Sequence, residues 1–208
     1  MDRSLIHYGC GLCAPPTWRN FDSSPTLRLQ RIPGIGRRVR VPGHPVFPRN
    51  IEYGDIVRGL PVEPGSARAI FCSHVLEHLA LEDFRTAIRN TFSYLRPGGV
   101  FRLVVPDLEV MARAYVESTD PGAAVAFMQT SLLGHVTRPR GAADVARSLL
   151  GAAHHLWMWD HKAMEAELRA AGFREVRRAR FGDAEVPEFA DVEEAGRFTL
   201  AVAMQAIR

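Results

Sequence analysis

Two histidines and a glutamate stand within five residues of one another, at His74, Glu77 and His78. The spacing H-x-x-E-H is that of inverted zinc proteases, in which the histidines bind zinc and the glutamate acts as a base. His74, however, directly follows the apolar run 69–72, which predicts a strand, whereas a zinc-binding histidine pair of this spacing needs a helix. We therefore expect no metal site here. His74 should face a cleft, while Glu77 and His78 should hydrogen-bond to neighbouring loops.

Two cysteines form a second pattern of chemical interest, because Cys10 and Cys13 are spaced as C-x-x-C and His7 lies just upstream. This spacing occurs in zinc half-sites and in redox pairs. The sequence has no second cysteine pair to complete a zinc site, and Pro15 and Pro16 stand where a redox motif would continue into its helix. We expect neither a metal nor a disulfide at these cysteines.

Glycines and acids follow several short strand-like segments. The apolar segment 5–8 runs directly into Gly9-Cys10-Gly11, and glycine lets main-chain amides approach a ligand closely. A second segment ends at Asp22 and a third ends just before Asp55. An acid at the end of the second strand could accept both ribose hydroxyls of a nucleoside, or Asp22 could simply start the turn that follows it.

A strand, a helix and a second parallel strand are predicted between residues 69 and 107. The helix is indicated by four apolar residues that share one face, at spacings of four, four and three: Phe84, Ile88, Phe92 and Leu95. The carboxyl ends of parallel strands meet at one edge of a sheet. Ser73, His74 and Asp107 should therefore lie side by side at the mouth of a cleft.

The segment 108–160 is longer than a simple crossover between strands requires. Helices are expected at 108–116, at 122–133 and at 142–150, and we interpret the segment as a lid or substrate-recognition insert. Residues 154–160 concentrate aromatic and titratable groups, including His155, which could pack in the core or face a substrate.

The C-terminal quarter of the chain reads as a helix followed by two strands. Asp160 is a suitable N-cap for a helix over 161–171, in which Met164 and Leu168 share a face and after which Gly172 can end the helix. An outer strand is expected at 173–180 and a last strand at 199–205, with a long connection between them.

The chain has 208 residues, which suits one domain that can bury a core without disulfides. Its net charge of +3 is too small to indicate nucleic acid as a partner. Residues 31–50 are rich in Pro, Gly and Arg and should form a solvated surface loop, although their arginines could also meet an anionic partner. No apolar run suits a signal peptide or approaches the ~20 residues of a membrane span, so we expect a cytoplasmic protein.

These motifs, in this order, resemble those of class I S-adenosylmethionine-dependent methyltransferases. The likeness is closest to small bacterial members whose glycine loop runs almost directly into a Gly-Trp-x-Asn-x-Asp segment, with Thr17 here in place of that glycine. The resemblance rests on Gly9-Cys10-Gly11, on residues 18–22, 54–56 and 60–61, and on the segments 73–79 and 95–99. It implies one α/β domain over residues 1–208 with a Rossmann-like, mostly parallel seven-stranded sheet, an antiparallel last strand and a helical insert after strand five.

The resemblance also implies a role for each matching residue. The loop of Gly9, Cys10 and Gly11 would pass under the methionine part of S-adenosylmethionine, and Asp22 would hold the ribose. Further along the chain, the adenine amino group would bind to Asp55 and the ring would pack on Ile56, while the sulfonium and the substrate would be bordered by Ser73 and His74. Two departures are that His7 stands where the family usually has an acid, and that the loop lacks a third glycine.

The function implied is methyl transfer to an acceptor by in-line displacement, which needs mainly alignment and sometimes a general base. His74 is the first candidate for a base or an acceptor-orienting group, followed by His155 and Asp107. The acceptor would be a small molecule or a glycan or lipid precursor, and nucleic acid is not favoured. Two alternatives are a non-catalytic module that binds S-adenosylmethionine and acts through partners, and a nicotinamide-dependent dehydrogenase. The missing third glycine and the Pro-Gly-Gly turn speak against the dehydrogenase.

Overall fold

The computed structural model describes residues 4–34, 36, 45–137 and 154–208. Within these residues seven strands form a single sheet. In chain order the strands are β1 Leu5–Tyr8, β2 Arg19–Asp22, β3 Ile51–Tyr53, β4 Ala67–Ser73, β5 Leu95–Pro106, β6 Arg174–Arg178 and β7 Ala201–Ile207.

The sheet has the spatial order β3-β2-β1-β4-β5-β7-β6. The first five strands are parallel to one another, and β7 lies between β5 and β6 and runs antiparallel to both. The predicted fold class, a mostly parallel seven-stranded sheet with an antiparallel last strand, is confirmed. The strand order reverses between β1 and β4, and open α/β sheets bind ligands at the carboxyl ends of the strands at such a point.

Five α-helices lie in the described part of the chain. They are α1 Pro25–Gln30, α2 Leu81–Tyr94, α3 Leu108–Glu117, α4 Ala123–Thr130 and α5 His161–Ala170. The helices α3 and α4 follow β5, as the predicted insert requires. The predicted helix at 142–150 and the arginines at positions 37, 38, 40, 138 and 140 lie outside the described residues. None of the helices described is long and apolar enough to cross a membrane.

The helices α2 and α5 cover one face of the sheet. Phe84 and Ile88 of α2 and Met164 and Leu168 of α5 are buried in the main hydrophobic cluster, which confirms the apolar faces expected from their spacing. The α5 helix begins at the predicted N-cap, because Oδ1 of Asp160 accepts a hydrogen bond from the amide of Ala163 at 2.8 Å. Burying these side chains against the sheet is the main source of stability for such amphipathic helices.

The opposite face of the sheet is covered by the long connection between β6 and β7. Two 3-10 turns, Pro187–Asp191 and Ala195–Phe198, lie in this connection, and Phe189 packs with Trp18 and Phe71 in a second cluster. Because both faces are covered, the central parallel strands carry nearly continuous apolar residues.

A third, smaller cluster shows that the end of the 31–50 segment is packed against the fold. Phe47 is buried with Leu27 and Ile51, and its amide donates to the side chain of Gln30 at 3.0 Å. The expectation of a fully solvated loop is therefore wrong for Phe47. Residues 35 and 37–44 of this loop lie outside the described part.

Candidate active site

The glycine loop after β1 adopts a backbone conformation that side chains disfavour. The φ angle is +64° at Gly9 and +55° at Gly11. A β-carbon at Gly9 would stand 2.1 Å from Cγ2 of Val75, so the loop after β1 lies directly against the loop after β4. A β-carbon at Gly11 would meet no described atom within 4 Å, and this position is therefore open on the side where a side chain would project.

Asp22 at the end of β2 ties the first two loops together. Its Oδ2 accepts a hydrogen bond from the Gly11 amide at 3.0 Å, and its Oδ1 accepts one from the Ser24 amide at 2.8 Å. In addition, the amide of Cys10 donates a hydrogen bond to the carbonyl of Phe21 at 3.0 Å. Asp22 therefore starts the turn before α1, as one sequence interpretation proposed, and its other oxygen binds the glycine loop. Its role in holding a ribose stays a prediction.

Asp55 lies just after β3, at the same edge of the sheet. Its Oδ1 accepts a hydrogen bond from the Val57 amide at 2.9 Å, and Arg58 approaches its Oδ2 at 3.5 Å. Ile56 is only 6% exposed and belongs to the main hydrophobic cluster. The structure thus places the Asp55 carboxylate at the surface but leaves little of the Ile56 side chain available to an adenine ring.

Ser73 and His74 end β4, beside the glycine loop. Ser73 is buried, and its hydroxyl has no hydrogen-bond partner among the described residues. His74 has a φ of +55°, and its amide donates to Val104 at 2.8 Å, which directs its side chain away from a regular strand path.

The imidazole of His74 contacts two different chain segments. Its Nε2 donates to the carbonyl of Arg197 at 3.0 Å, and its Nδ1 lies 3.3 Å from Oε1 of Glu77. The Glu77 contact raises the pKa of His74, although burial and the nearby guanidinium of Arg197 oppose the shift. This environment favours the imidazolium, which suits an orienting group better than a general base.

Asp107, the other candidate at the end of a strand, serves as the N-cap of α3. Its Oδ1 accepts hydrogen bonds from the amides of Glu109 at 2.9 Å and Val110 at 3.4 Å. The side chain is buried, and the amide of Asp107 itself donates to Leu200 at 3.0 Å. Helix capping accounts for the position of this carboxylate, and its catalytic role stays a prediction.

His155 is buried beside Glu77 and His78, although the three residues come from two distant parts of the sequence. The rings of His78 and His155 have centroids 4.9 Å apart, and Nε2 of His155 lies 3.9 Å from Oε1 of Glu77. The prediction for His78 is confirmed, because its Nδ1 donates to the carbonyl of His154 at 3.0 Å. Glu77 meets the same prediction through its main chain, because its carbonyl accepts hydrogen bonds from the amides of Leu156 and Trp157, whereas neither carboxylate oxygen has a hydrogen-bond partner within the described residues.

His7, which replaces the usual acid before the glycine loop, is buried between Trp18 and Phe71. The centroid of its ring lies 6.4 Å from that of Trp18 and 5.4 Å from that of Phe71. Burial lowers the pKa of His7 to about 3, although the nearby side chain of Asn20 opposes the shift. His7 is therefore a neutral core residue and cannot supply the negative charge of the acid it replaces.

The cysteines near the loop are free thiols, with Cys10 buried and Cys13 exposed. Burial raises the pKa of the Cys10 thiol strongly, which keeps it protonated and a poor metal ligand. The turn 10–13 is closed instead by the amide of Cys13, which donates to the Cys10 carbonyl at 2.9 Å.

Sequence reasoning missed two residues at this site, Val75 and Arg197. Val75 lies over Gly9, and a valine directly after a strand resembles any core residue in the sequence. Arg197 binds His74 through its main-chain carbonyl, and a main-chain contact cannot be recognised from the residue type in a sequence.

Comparison with known proteins identifies the family. A family model described as methyltransferase domain matches residues 13–177. Searching curated proteins gives no match to this sequence.

Three solved structures illustrate the shared fold. A SAM-dependent methyltransferase from Archaeoglobus fulgidus aligns with a TM-score of 0.53 and 15% identity, over 99% of this chain and 86% of that one. A possible histamine N-methyltransferase from Thermotoga maritima aligns with a TM-score of 0.53 and 14% identity, over 97% of this chain and 80% of that one. The structure of PigF with SAH aligns with a TM-score of 0.51 and 16% identity, over 99% of this chain and 50% of that one. At such identities the structures support the fold, and the family match covers most of the sequence. The chain belongs to the methyltransferase domain family.

Proposed function

We propose that this protein is an S-adenosylmethionine-dependent methyltransferase. The observation that carries the proposal is the hydrogen bond from the Gly11 amide to Oδ2 of Asp22, at 3.0 Å. It joins a glycine loop after β1 to the acid at the end of β2, at the edge where the strand order reverses. Nucleoside ligands bind to α/β sheets at this position.

The residues present fit such a cofactor. Each carboxylate oxygen of Asp22 accepts one amide hydrogen bond, which leaves each oxygen a lone pair for a ribose hydroxyl. The open space at Gly11 gives a ligand access to the loop backbone, and the buried hydroxyl of Ser73 has no partner within the described chain. The PigF structure with SAH shares this fold, which is consistent with the same class of cofactor.

S-adenosylmethionine would supply an activated methyl group on a positively charged sulfur. The protein residues would then have to bind the donor, align the acceptor with the methyl group and exclude water. His74 is placed to orient the acceptor, because it is partly exposed and held by both Glu77 and Arg197. If the acceptor group must lose a proton, the same imidazole can accept it only in its neutral form.

The acceptor is proposed to be a small molecule or a glycan or lipid precursor that enters beside α3. An apolar pocket lies between α3 and α4 and is lined by Val110, Met111, Tyr115, Phe127 and Leu200, among others. The carbonyl of Leu200 accepts the hydrogen bond from the Asp107 amide, so the pocket adjoins the carboxyl end of β5. This placement supports a substrate-recognition role for the insert at 108–160.

Titration calorimetry with S-adenosylmethionine and its demethylated product tests the proposal. We expect binding by the wild-type protein and its loss in Asp22→Ala, because the ribose and the Gly11 amide both lose their acceptor. Asp83→Ala is the matched control, since Asp83 is an exposed acid in the first turn of α2 and should leave the affinity unchanged. Absence of binding by the wild-type protein at high concentration would refute the proposal.

The neutral, buried His7 favours one alternative, a domain that binds the cofactor without turnover. An acid at this position would offer a charge to the ammonium group of the cofactor, and His7 offers none. Transfer of a radiolabelled methyl group to any fraction of a cell lysate would exclude this alternative. Cofactor binding with no transfer to lysate or to acceptor libraries would support it.

A further inference from the structure

Three side chains that commonly bind metals converge beyond the end of β4. Glu77 and His78 lie on the 3-10 turn Leu76–His78, and His155 lies in the segment before α5. One ligand atom from each of these residues lies within 4.8 Å of the others. The cluster adjoins the proposed active site through His74, whose Nδ1 lies 3.3 Å from Oε1 of Glu77, but the argument for a metal site does not depend on the proposed methyl transfer.

The Glu77 carboxylate is the main reason to expect a cation here. Its side chain is 1% exposed, and neither oxygen receives a hydrogen bond from a described residue. Nδ1 of His74 lies 3.3 Å from Oε1, so His74 compensates part of the charge, whereas Oε2 has no partner within the described residues. Burying a carboxylate with so few partners is costly, and a bound cation would offset the remaining cost.

The imidazole of His78 is oriented as in known metal sites. Its Nδ1 donates to the carbonyl of His154 at 3.0 Å, and a carbonyl oxygen only accepts hydrogen bonds. Nδ1 therefore carries the proton, and the lone pair of neutral His78 is on Nε2. Metal-binding histidines usually donate their other ring nitrogen to a carbonyl or carboxylate in this way.

His155 supplies the third ligand, from the segment before α5. Its side chain is 6% exposed, its Nε2 lies 3.9 Å from Oε1 of Glu77, and its Nδ1 has no hydrogen-bond partner within the described residues.

The main chain holds His155 over Glu77. The amides of Leu156 and Trp157 both donate to the carbonyl of Glu77, at 2.8 Å and 3.1 Å. These two hydrogen bonds fix the following segment to the 3-10 turn, so the third ligand does not depend on a free loop finding its place. A preorganised set of ligands loses less conformational entropy on binding.

Two imidazoles and one carboxylate are a ligand set of zinc sites that keep a fourth position for water or substrate. Bond lengths near 2.1 Å at a tetrahedral centre place ligand atoms about 3.4 Å apart. Nε2 of His155 and Oε1 of Glu77 are 3.9 Å apart, so only a small contraction is needed. We propose that Glu77, His78 and His155 form a binding site for Zn²⁺ or a similar divalent transition-metal ion.

This site differs from the H-x-x-E-H arrangement that the sequence pattern suggested. That arrangement would use His74 and His78 as ligands and Glu77 as the base. Here His74 contacts the Arg197 carbonyl and Glu77 and is not a ligand, Glu77 is itself a ligand, and His155 is the third ligand. The sequence argument against the helical zinc motif does not apply to a site whose third ligand comes from another segment.

The experiment uses the full chain after removal of metal with a chelator and dialysis. Zn²⁺ is titrated by calorimetry, and Co²⁺ is titrated by its visible absorption, which reports tetrahedral nitrogen and oxygen ligation. We expect one ion per chain for the wild-type protein. Removing an outer-shell partner usually lowers metal affinity 10- to 100-fold, so His78→Gln and His155→Gln should each lower it at least tenfold.

Two controls separate this site from other sources of metal binding. His161→Gln removes a surface histidine whose Nε2 lies 3.7 Å from Glu165, and Cys13→Ser removes the exposed thiol of the C-x-x-C pair. Both variants should retain the affinity of the wild-type protein. Circular dichroism verifies that each variant is folded, and if one ligand variant fails to fold, the other carries the test. The proposal is overturned if the wild-type protein takes up no stoichiometric ion, if the folded ligand variants bind as tightly as the wild-type protein, or if Cys13→Ser abolishes binding.

Discussion

Val75 lies directly over Gly9, so that a β-carbon on Gly9 would stand 2.1 Å from its Cγ2 atom. Gly9 also has a φ of +64°, and Gly11, two residues later, has a similar φ of +55° with no described atom within 4 Å of its virtual β-carbon. The two glycines therefore share the backbone constraint and differ in the contact. This difference allows strain and crowding to be measured separately.

We predict that Gly11→Ala destabilises the fold by about 1–2 kcal/mol, because alanine is strained at positive φ. Gly9→Ala should cost about 1–3 kcal/mol more, because its methyl group overlaps Val75. In the Gly9→Ala background, Val75→Ala should recover part of the loss. Urea denaturation of the wild-type protein, Gly9→Ala, Val75→Ala and the double variant gives the coupling energy between the two residues as a double-mutant cycle. The same measurement on Gly11→Ala gives the cost of strain alone. Equal destabilisation by Gly9→Ala and Gly11→Ala would contradict the close contact.

The sequence predicted the residues at the ends of the strands well. Short apolar runs that stop at a glycine or an acid placed the Gly9 loop, Asp22 and Ser73 at one edge of the sheet, as observed. The reason is that strand ends and turn residues are determined by local backbone preferences, which a short stretch of sequence carries.

Contacts between distant segments could not be predicted in this way. The convergence of His155 on Glu77 depends on main-chain hydrogen bonds from residues 156 and 157, and the six-residue helix α1 is too short to show a periodic apolar pattern. The packing of Ile56 in the main hydrophobic cluster could not be predicted either, because an isoleucine in a sequence does not reveal which apolar surface it will meet.

Arg102 offers a prediction about the connection between β6 and β7. Its side chain is fully buried, pairs with Glu193, whose side chain is 1% exposed, and donates to Gln205 at 3.0 Å and to the Arg180 carbonyl at 2.7 Å. Arg102→Met should destabilise the protein by about 3–5 kcal/mol, since it leaves the Glu193 carboxylate buried without its partner. Chemical denaturation measures the effect.

The double variant Arg102→Met, Glu193→Met should recover much of that loss, because it leaves no buried charge at these two positions, and Asp183, which also pairs with Arg102, keeps Arg177 as its partner. Arg113→Met is the surface control. Its exposed ion pair with Glu109 should contribute less than about 1 kcal/mol. If Arg102→Met lowers the free energy of unfolding no more than Arg113→Met does, the buried network does not stabilise the connection between β6 and β7.

His7 should make the protein less stable as the solution becomes acidic. The pKa of His7 is about 3 in the folded protein, whereas that of an exposed histidine is 6.5. Below pH 6.5 the unfolded chain therefore binds a proton that the folded chain does not, and stability falls until the pH reaches about 3. Between pH 6.5 and 5 the contribution amounts to about 2 kcal/mol.

The comparison is with His7→Gln, which is uncharged at every pH. The wild-type protein should lose about 2 kcal/mol relative to this variant between pH 6.5 and 5, as measured by urea denaturation at each pH. Groups that titrate in both proteins cancel in the difference. Parallel stability curves for the two proteins would show that the folded state accommodates a protonated His7.

Asp107 and Asp160 are both N-caps, of α3 and of α5, and this permits a matched test of the role of Asp107. Asparagine caps helices about as well as aspartate, whereas alanine at an N-cap costs about 1 kcal/mol. We therefore expect Asp107→Asn to be nearly neutral for stability and Asp107→Ala to lose about 1 kcal/mol, with the same pattern for the Asp160 variants. Thermal or urea denaturation gives the four values.

The same asparagine variant separates capping from catalysis, because an amide cannot accept a proton as a carboxylate can. If Asp107 only caps α3, Asp107→Asn should retain both the affinity for S-adenosylmethionine and the transfer of a labelled methyl group to the active lysate fraction. A loss of transfer on the order of 100-fold at unchanged stability and unchanged cofactor affinity would instead assign the carboxylate to proton transfer. Because Oδ1 of Asp107 is already occupied by two amides of α3, we expect the first result.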